Sequence, residues 1–281
     1  MQLLYPSNPL RRRRPDEQYR EEAEAVEAAG FSLSLFSLED FQDGLFQAIP
    51  EFEPGNVILY RGWMLNPEDY VKLAASISQL GANLKVPINQ YLAHHHLPNW
   101  YPGITDLTPE TRILSLETEL ESELRALGWE GFFIKDYVKF LKASVGSKIS
   151  DPSQIQSVIA EMKRFRGAVE GGICVRRIED FDPTTEQRYF AINGNAYAES
   201  GPIPDIVADC ARRFSGDFIS IDAILRRDGS PRIVEIGDGQ VSDLVGWSLQ
   251  RFAEVLKEAW SECSPGTRPH LGVPKRHCFL S

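Results

Sequence analysis

The stretch from Phe218 to Asp243, FISIDAILRRDGSPRIVEIGDGQVSD, constrains this chain more than any other, because its pairing register sets two carboxylates against each other. Two β-rich runs, Phe218 to Leu225 and Arg232 to Ile236, flank Asp228-Gly229, a strong hairpin signal. With that dipeptide as a two-residue turn closed by Arg227 and Ser230, paired residue numbers add to 457, and a four-residue loop about the same centre keeps that value. Asp222 then faces Glu235. Alternation agrees: Ile219, Ile221, Ala223 and Leu225 share one face with Val234 and Ile236, which leaves the two acids on the other. Opposed side chains on paired strands have Cβ atoms ~4.5–5.5 Å apart, and like charges there repel unless something positive lies between them. A magnesium ion would serve; the alternative is a solvent-exposed hairpin on which the acids tolerate each other.

The chain has 281 residues, enough for one large or two to three small α/β units with a substantial core. Hydrophobic residues at 42% and charged residues at 25% are ordinary for a soluble globular protein. A formal charge of −10 disfavours an extended polyanion-binding surface, so nucleic acid is not the expected partner, although a local basic pocket for a small anion is compatible with it. The four cysteines, at 174, 210, 263 and 278, have no metal-like spacing, and no stretch reads as a secretory or membrane segment. A reducing cytoplasm is the expected setting, with no membrane partner. The final Cys-Phe-Leu-Ser fits the loose prenylation pattern only poorly.

Residues 1–88 read as a small α/β unit: a strand at Gln2 to Tyr5, a helix from Asp16 to Ala29, a strand from Phe31 to Leu38, another from Asn56 to Tyr60, and a helix from Pro67 to Leu80. Strands alternating with helices predict a parallel sheet. Residues 89–108, with three successive histidines and a Pro-Asn-Trp-Tyr-Pro run, read as a polar connector or a loop over a cleft. Pro109 to Leu127 reads as a helix, Gly131 to Phe140 as a strand with Phe133, Lys135, Tyr137 and Lys139 on one face, Pro152 to Phe165 as a helix and Gly171 to Ile178 as a strand. Asn193-Gly194 marks a second hairpin with a type I′ turn, Ile206 to Arg213 a helix, and Leu244 to Trp260 a closing helix before a tail at 261–281.

In that order these pieces resemble the ATP-grasp superfamily, and within it a divergent clade common in phage and bacterial genomes. The resemblance rests on the lysine-bearing strand FFIKDYVK, a Gly-Ser loop at Ser144 to Lys148, the strand GGICVRR, the segment EQRYFAING, and IDAILRRDGSPRIVEIGDGQ. It implies an α/β pre-ATP-grasp domain at 1–88 and, at 109–260, an α+β nucleotide domain with a lid near 128–180. It implies ATP and magnesium as cofactors, with Lys135 and Lys139 on the phosphates. Val175, Arg176, Arg177 and Ile178 would form the hinge strand along the adenine, where alternation lets only one of the two arginines face the nucleotide. Arg188 would lie near the transferred phosphoryl group. The metal would sit on Asp222 and Glu235. The superfamily usually continues Glu-x-Asn; here Gly237 stands in the asparagine's place, so Asp238 or Gln240 would supply the missing oxygen.

Several of these residues have rival readings. Lysines also suit an exposed edge strand. The Asn193-Gly194 turn pairs numbers adding to 387, which sets Arg188 opposite Glu199 in a possible cross-strand ion pair. Arg11 to Arg14 are either solvated or gathered around an anion. Arg61, ending an apolar strand, either grips a substrate carboxylate, as Gln240 is also placed to do, or sits in a structural ion pair. Three consecutive histidines, 94 to 96, do not all point at one metal ion from an extended backbone. The expected function is a ligase that activates a small-molecule or peptide carboxylate as an acyl phosphate for attack by an amine. A kinase of the same fold and a non-catalytic ATP-binding module are the alternatives.

Overall fold

The computed structural model describes residues 1–137, 148–166, 169, 171–214 and 218–261. The chain opens with β1 (Gln2–Asn8), β2 (Arg11–Pro15), α1 (Arg20–Ala28), β3 (Ser32–Phe36), α2 (Leu38–Gln42), β4 (Val57–Tyr60), α3 (Pro67–Gln79) and β5 (Asn83–Leu84). β1 lies between β3 and β4, parallel to both, and β4 continues parallel to β5. That is the sheet the alternation of strands and helices predicts. β1 is buried on both faces, as its apolar run requires. The helix signals hold at α3, whose N-cap Asn66 accepts from the Asp69 amide 2.8 Å away.

The segment 89–108 is no polar loop. It forms α4 (Ile88–His95) and α5 (Leu97–Trp100), with Tyr91, Leu97, Trp100 and Ile104 buried. His95 stacks on Tyr91 at 5.1 Å and His94 packs edge-on against Phe214, so the histidines are interior side chains. Turn-like Pro and Asn residues obscured a segment whose apolar residues are spent on two different cores.

Next come β6 (Thr111–Leu114), α6 (Leu120–Leu127), β7 (Phe132–Asp136), β8 (Lys148–Ile149), α7 (Ile155–Arg166) and β9 (Ile173–Arg177). The expected helix from Pro109 is therefore a strand followed by a shorter helix. Pairing of Thr111 to Leu114 with β9 overrides helical propensity there, while Gly128, at φ 65°, still ends α6. The sheet runs β6-β9-β7-β8, antiparallel throughout. Its Phe132, Ile134, Ile173 and Val175 face α6 and α7, so by alternation Phe133, Lys135, Cys174 and Arg176 take the opposite face.

The last unit comprises β10 (Phe181–Ile192), β11 (Asn195–Tyr197), α8 (Asp205–Arg213), β12 (Phe218–Arg226), β13 (Pro231–Asp238) and α9 (Leu249–Ser261), with sheet order β11-β10-β12-β13. Asn193 and Gly194, at φ 52° and 81°, form the expected primed turn. One sheet face packs on α5 and α8 through Ile219, Ile221, Ile233 and Ile236. On the other, Phe190 and Phe218 join α9 and residues of β1 and β4 in a single core. The N-terminal sheet and the C-terminal helix thus share one interior. No helix among the described residues is long and apolar enough to cross a membrane.

Arg61 joins these parts. It is 1% exposed, and its guanidinium spans Glu22 of α1, at 2.7 and 2.5 Å, and the carbonyl oxygens of Gly239, Gln240 and Ser242 at 2.8–3.1 Å. Burial works against its charge, and the Glu22 carboxylate more than offsets this, so its pKa is raised. Gln240 is equally enclosed, donating to the Tyr70 hydroxyl and the Asp238 carboxylate. The expectation that Arg61 and Gln240 meet substrate is corrected: their polar groups are spent inside the protein. Glu22→Ala would leave an unpaired buried cation and should destabilise the whole chain by about 3–5 kcal/mol in denaturant unfolding, with the N-terminal sheet and the β11-β10-β12-β13 sheet lost together.

Candidate active site

The hairpin β12–β13 places Asp222 opposite Glu235. The turn differs from the expected one. Arg226 and Ser230 close a three-residue loop, with the Arg226 amide donating to Ser230 O and the Gly229 amide to Arg226 O, both at 2.8 Å. Pairs nearest this loop are offset by one from the expected register: Ala223 faces Ile233 and Leu225 faces Pro231. A bulge between Asp222 and Ala223 takes Val234 out of the ladder and restores the expected partner for Asp222. Ile233, not Val234, therefore joins the buried face, and Val234 lines the cleft.

Two cations flank the acids. Arg188, opposite Asp222 on β10, donates from Nε and Nη2 to the two carboxylate oxygens at 2.7 and 2.6 Å, and from Nη1 to the Asp243 carbonyl at 2.8 Å. The expected pairing with Glu199 does not occur in the ladder, because β11 ends at Tyr197. Burial depresses the Arg188 charge, but the Asp222 hydrogen bonds and charge reverse this and raise its pKa. Lys135, 4% exposed on β7, reaches from the facing sheet to Glu235 Oε2 at 3.1 Å. The site is a row of alternating charge, Arg188, Asp222, Glu235 and Lys135, drawn from three strands of one sheet and one of another. Trp247 Nε1 donates to the Arg188 carbonyl at 2.8 Å and anchors the row from behind.

Glu235 lies at the edge of a cleft of about 1140 Å³ between the two sheets, lined among others by Phe133, Arg177, Ile178, Glu179 and Glu186. Such a volume exceeds the ~300–1,000 Å³ of typical ligand pockets, room enough for a ligand the size of a nucleotide. Of the hinge residues, Arg176 takes the cleft-side face and Arg177 lines the rim. Arg176 is nevertheless tied to the Val234 carbonyl, to the Thr108 and Thr111 hydroxyls and over the Trp100 ring at 5.5 Å. Burial lowers its pKa. Val175 is corrected as a backbone partner for a base: it is fully buried and paired with Arg112 on one side and Ile134 on the other. The Ile178 amide donates to Gly131 O at 3.3 Å, while its side chain borders the cleft. Lys139 and residues 144–147 of the Gly-Ser loop lie outside the described residues.

Asp238 does not join Asp222 and Glu235, as the expected metal set required. Opposite Ile219, it belongs to the other sheet face, where it is buried beside Gln240, Tyr70, Tyr91 and His94. Its Oδ1 accepts from Gln240, whereas Oδ2 has no hydrogen-bond partner among the described residues. Burial raises its carboxyl pKa to about 6, with His94 pulling the other way. The two hard oxygen donors that do converge, Asp222 and Glu235, suit a magnesium ion, which binds through one or two carboxylates and completes its shell with water and phosphate. Among the described residues no group of three or more His, Cys, Asp or Glu could hold a metal. Glu186, which lines the cleft, was missed in the sequence; two residues before Arg188 on the same strand, it was findable from alternation. Asp243 and Trp247 act through a backbone carbonyl and an indole on a loop, and no sequence pattern marks them.

The three sheets, in this order along the chain, are those of an ATP-grasp fold. The chain belongs to an ATP-grasp domain family, the third numbered family of its clade, whose model matches residues 94–260. Among solved structures it is similar to D-cycloserine synthetase DcsG, with a TM-score of 0.62 and 13% identity over 91% of this chain and 98% of that one. Macrocyclase MdnC of Microcystis aeruginosa, bound to precursor peptide MdnA, gives a TM-score of 0.59 at 14% identity, covering 92% and 100%. D-alanyl-alanine synthetase A of Vibrio cholerae gives 0.56 at 13%, covering 92% and 96%. These likenesses establish the fold. No curated protein sequence matches the chain.

Two outcomes follow from this geometry. Because the folded chain holds the Asp238 proton up to about pH 6 and the unfolded chain only to about 4, this residue lowers stability as pH rises through that window. Asp238→Asn should flatten the pH dependence of the melting temperature between about 4 and 6 and leave the variant the more stable above it. Asp222→Asn should release Arg188 from its bidentate partner. Calorimetry should then find ATP bound more tightly without magnesium than in the wild type, with the effect of added magnesium much reduced.

Proposed function

We propose that this protein is an ATP- and magnesium-dependent ligase that activates a carboxylate as an acyl phosphate for attack by an amine. The observation that carries this reading is the row Arg188–Asp222–Glu235–Lys135 beside a nucleotide-sized cleft. Neutralised internally, the row has two cations and two carboxylates that a phosphate chain and its metal would separate and engage. Asp222 and Glu235 would hold magnesium, which supplies charge neutralisation for the phosphates. Lys135 would donate to phosphate oxygens. Arg188 would turn from Asp222 toward the transferred phosphoryl group and the oxyanion formed when the amine attacks. Trp247 and the Asp243 carbonyl would keep its guanidinium at the required depth. No side chain need bond covalently to substrate, so the rate gain comes from positioning and fixed charge.

The similar structures named above include a D-alanyl-alanine synthetase and a macrocyclase bound to a precursor peptide, and they support amino-acid or peptide substrates as the class to test first. ADP release should be screened with magnesium and ATP across pooled amino acids, short peptides and polyamines. The product decides the outcome: a new amide supports the ligase, a stable phosphorylated acceptor supports a kinase, and magnesium-dependent binding without turnover supports a non-catalytic module. Lys135→Ala should weaken nucleotide binding 10- to 100-fold, the loss of about 1.5–3 kcal/mol expected for a hydrogen bond to a charged group. Unchanged affinity in calorimetry would remove Lys135 from the site.

A further inference from the structure

The four arginines of β2 are the largest charged feature that the site leaves unused. All of Arg11 to Arg14 are exposed, and Leu10 at the hairpin tip is 94% exposed. β2 pairs with β1 only at Ser7–Pro15 and Asn8–Arg11, so Arg12, Arg13 and Arg14 bow out of the ladder without Cα partners. Arg12 is held by Asp40; among the described residues Arg11, Arg13 and Arg14 have no ion pair. On a chain of formal charge −10, three uncompensated guanidinium groups on one short strand are a local inversion of sign.

A chain of contacts links this strand to the row at Arg188. Asp16, directly after β2, bonds through its amide to Pro6 O at 2.8 Å and accepts from Trp63 Nε1 at 3.4 Å. Trp63, 39% exposed, packs edge-on against Tyr19 at 5.5 Å, and Met64 beside it is 38% exposed. Tyr19 feels the charge of Asp243, whose carbonyl oxygen holds Arg188. Asp16, Trp63 and the buried Tyr19 thus link the arginine strand to Asp243, the residue that holds Arg188.

We propose that the β1–β2 hairpin is a docking site for an extended acidic peptide segment, laid along Arg11 to Arg14 with an apolar residue against Leu10 or Trp63. A five-residue strand spans roughly 16 Å at ~3.3 Å per residue, a length that a single phosphate or free amino acid leaves mostly uncovered. Guanidinium groups pair bidentately with carboxylates, so acidic side chains at alternate positions match the strand's own spacing. A nucleic acid would bring a long run of phosphates against a protein of the same overall sign. The proposal deepens the ligase reading by making one substrate a polypeptide, but docking itself needs neither nucleotide nor turnover.

The test is fluorescence anisotropy on the full chain without nucleotide. The probes are a labelled twelve-residue peptide carrying six glutamates and one leucine, its lysine-substituted counterpart, and a single-stranded oligonucleotide of equal length. Saturable binding of the acidic peptide is expected, weakening with salt, absent for the lysine peptide, reduced at least tenfold in Arg13→Glu/Arg14→Glu and several-fold in Trp63→Ala. The double variant, altered only at exposed positions, should keep wild-type magnesium-nucleotide affinity, which separates failure of this site from failure of the nucleotide site. Three results would overturn the proposal: no saturable peptide binding, equal affinity in the double variant, or tighter binding of the oligonucleotide than of the peptide.

Discussion

Two carboxylates facing each other on adjacent strands form a stable arrangement only if positive charge reaches both, and much of this architecture supplies it. Arg188 comes from β10, the strand on the far side of Asp222, and Lys135 from a different sheet altogether. The contact between Lys135 and Glu235 is therefore an electrostatic tie across the cleft. It bridges the two sheets, and under the proposed function a phosphate chain entering between them would replace it.

The second dependence is on the interior shared by the two ends of the chain. Arg61 and Glu22 are buried from water in a region where β1, β4, α1 and α9 meet, and the loop Gly239–Ser242 that follows the β12–β13 hairpin closes over the guanidinium. The loop that continues to Asp243, and so to Arg188, is thereby fixed by the N-terminal unit. A buried ion pair is a weak source of net stability but a strong source of register, since only one arrangement satisfies every donor. Here it sets where the N-terminal sheet stands relative to the row of charges at Asp222 and Glu235.

Much of this was legible in the sequence, for physical reasons that differ by element. The hairpin was legible from its turn dipeptide, but Asp222 faces Glu235 as expected only because the bulge after Asp222 offsets a loop one residue longer than expected, whereas Asn193-Gly194 dictated its turn because both residues tolerate positive φ. The burial of Arg61 is not readable in the same way, because a terminal cation on an apolar strand looks the same whether its partner is a ligand or Glu22. Asp238 was misplaced by a single residue of alternation: with Gly237 at the position on Glu235's face, the next acid in sequence faces the wrong way. β6 and the helices at 88–100 were unreadable because tertiary pairing and burial, rather than local propensity, define them. Asp243 and Trp247 carry their roles through groups that leave no pattern in composition.

The bulge at Val234 has a consequence for how this hairpin tolerates change. Removed from the ladder, Val234 offers its carbonyl oxygen to Arg176, and that bond ties the hinge strand to the hairpin that carries Glu235. The acceptor is a main-chain atom, present whatever side chain stands there. Replacement of Val234 by most other residues would leave the connection intact, whereas loss of the residue would abolish it and still leave Asp222 and Glu235 face to face. For this tie, drift at the position is thus felt through chain length and not through side-chain chemistry, although the side chain itself lines the cleft.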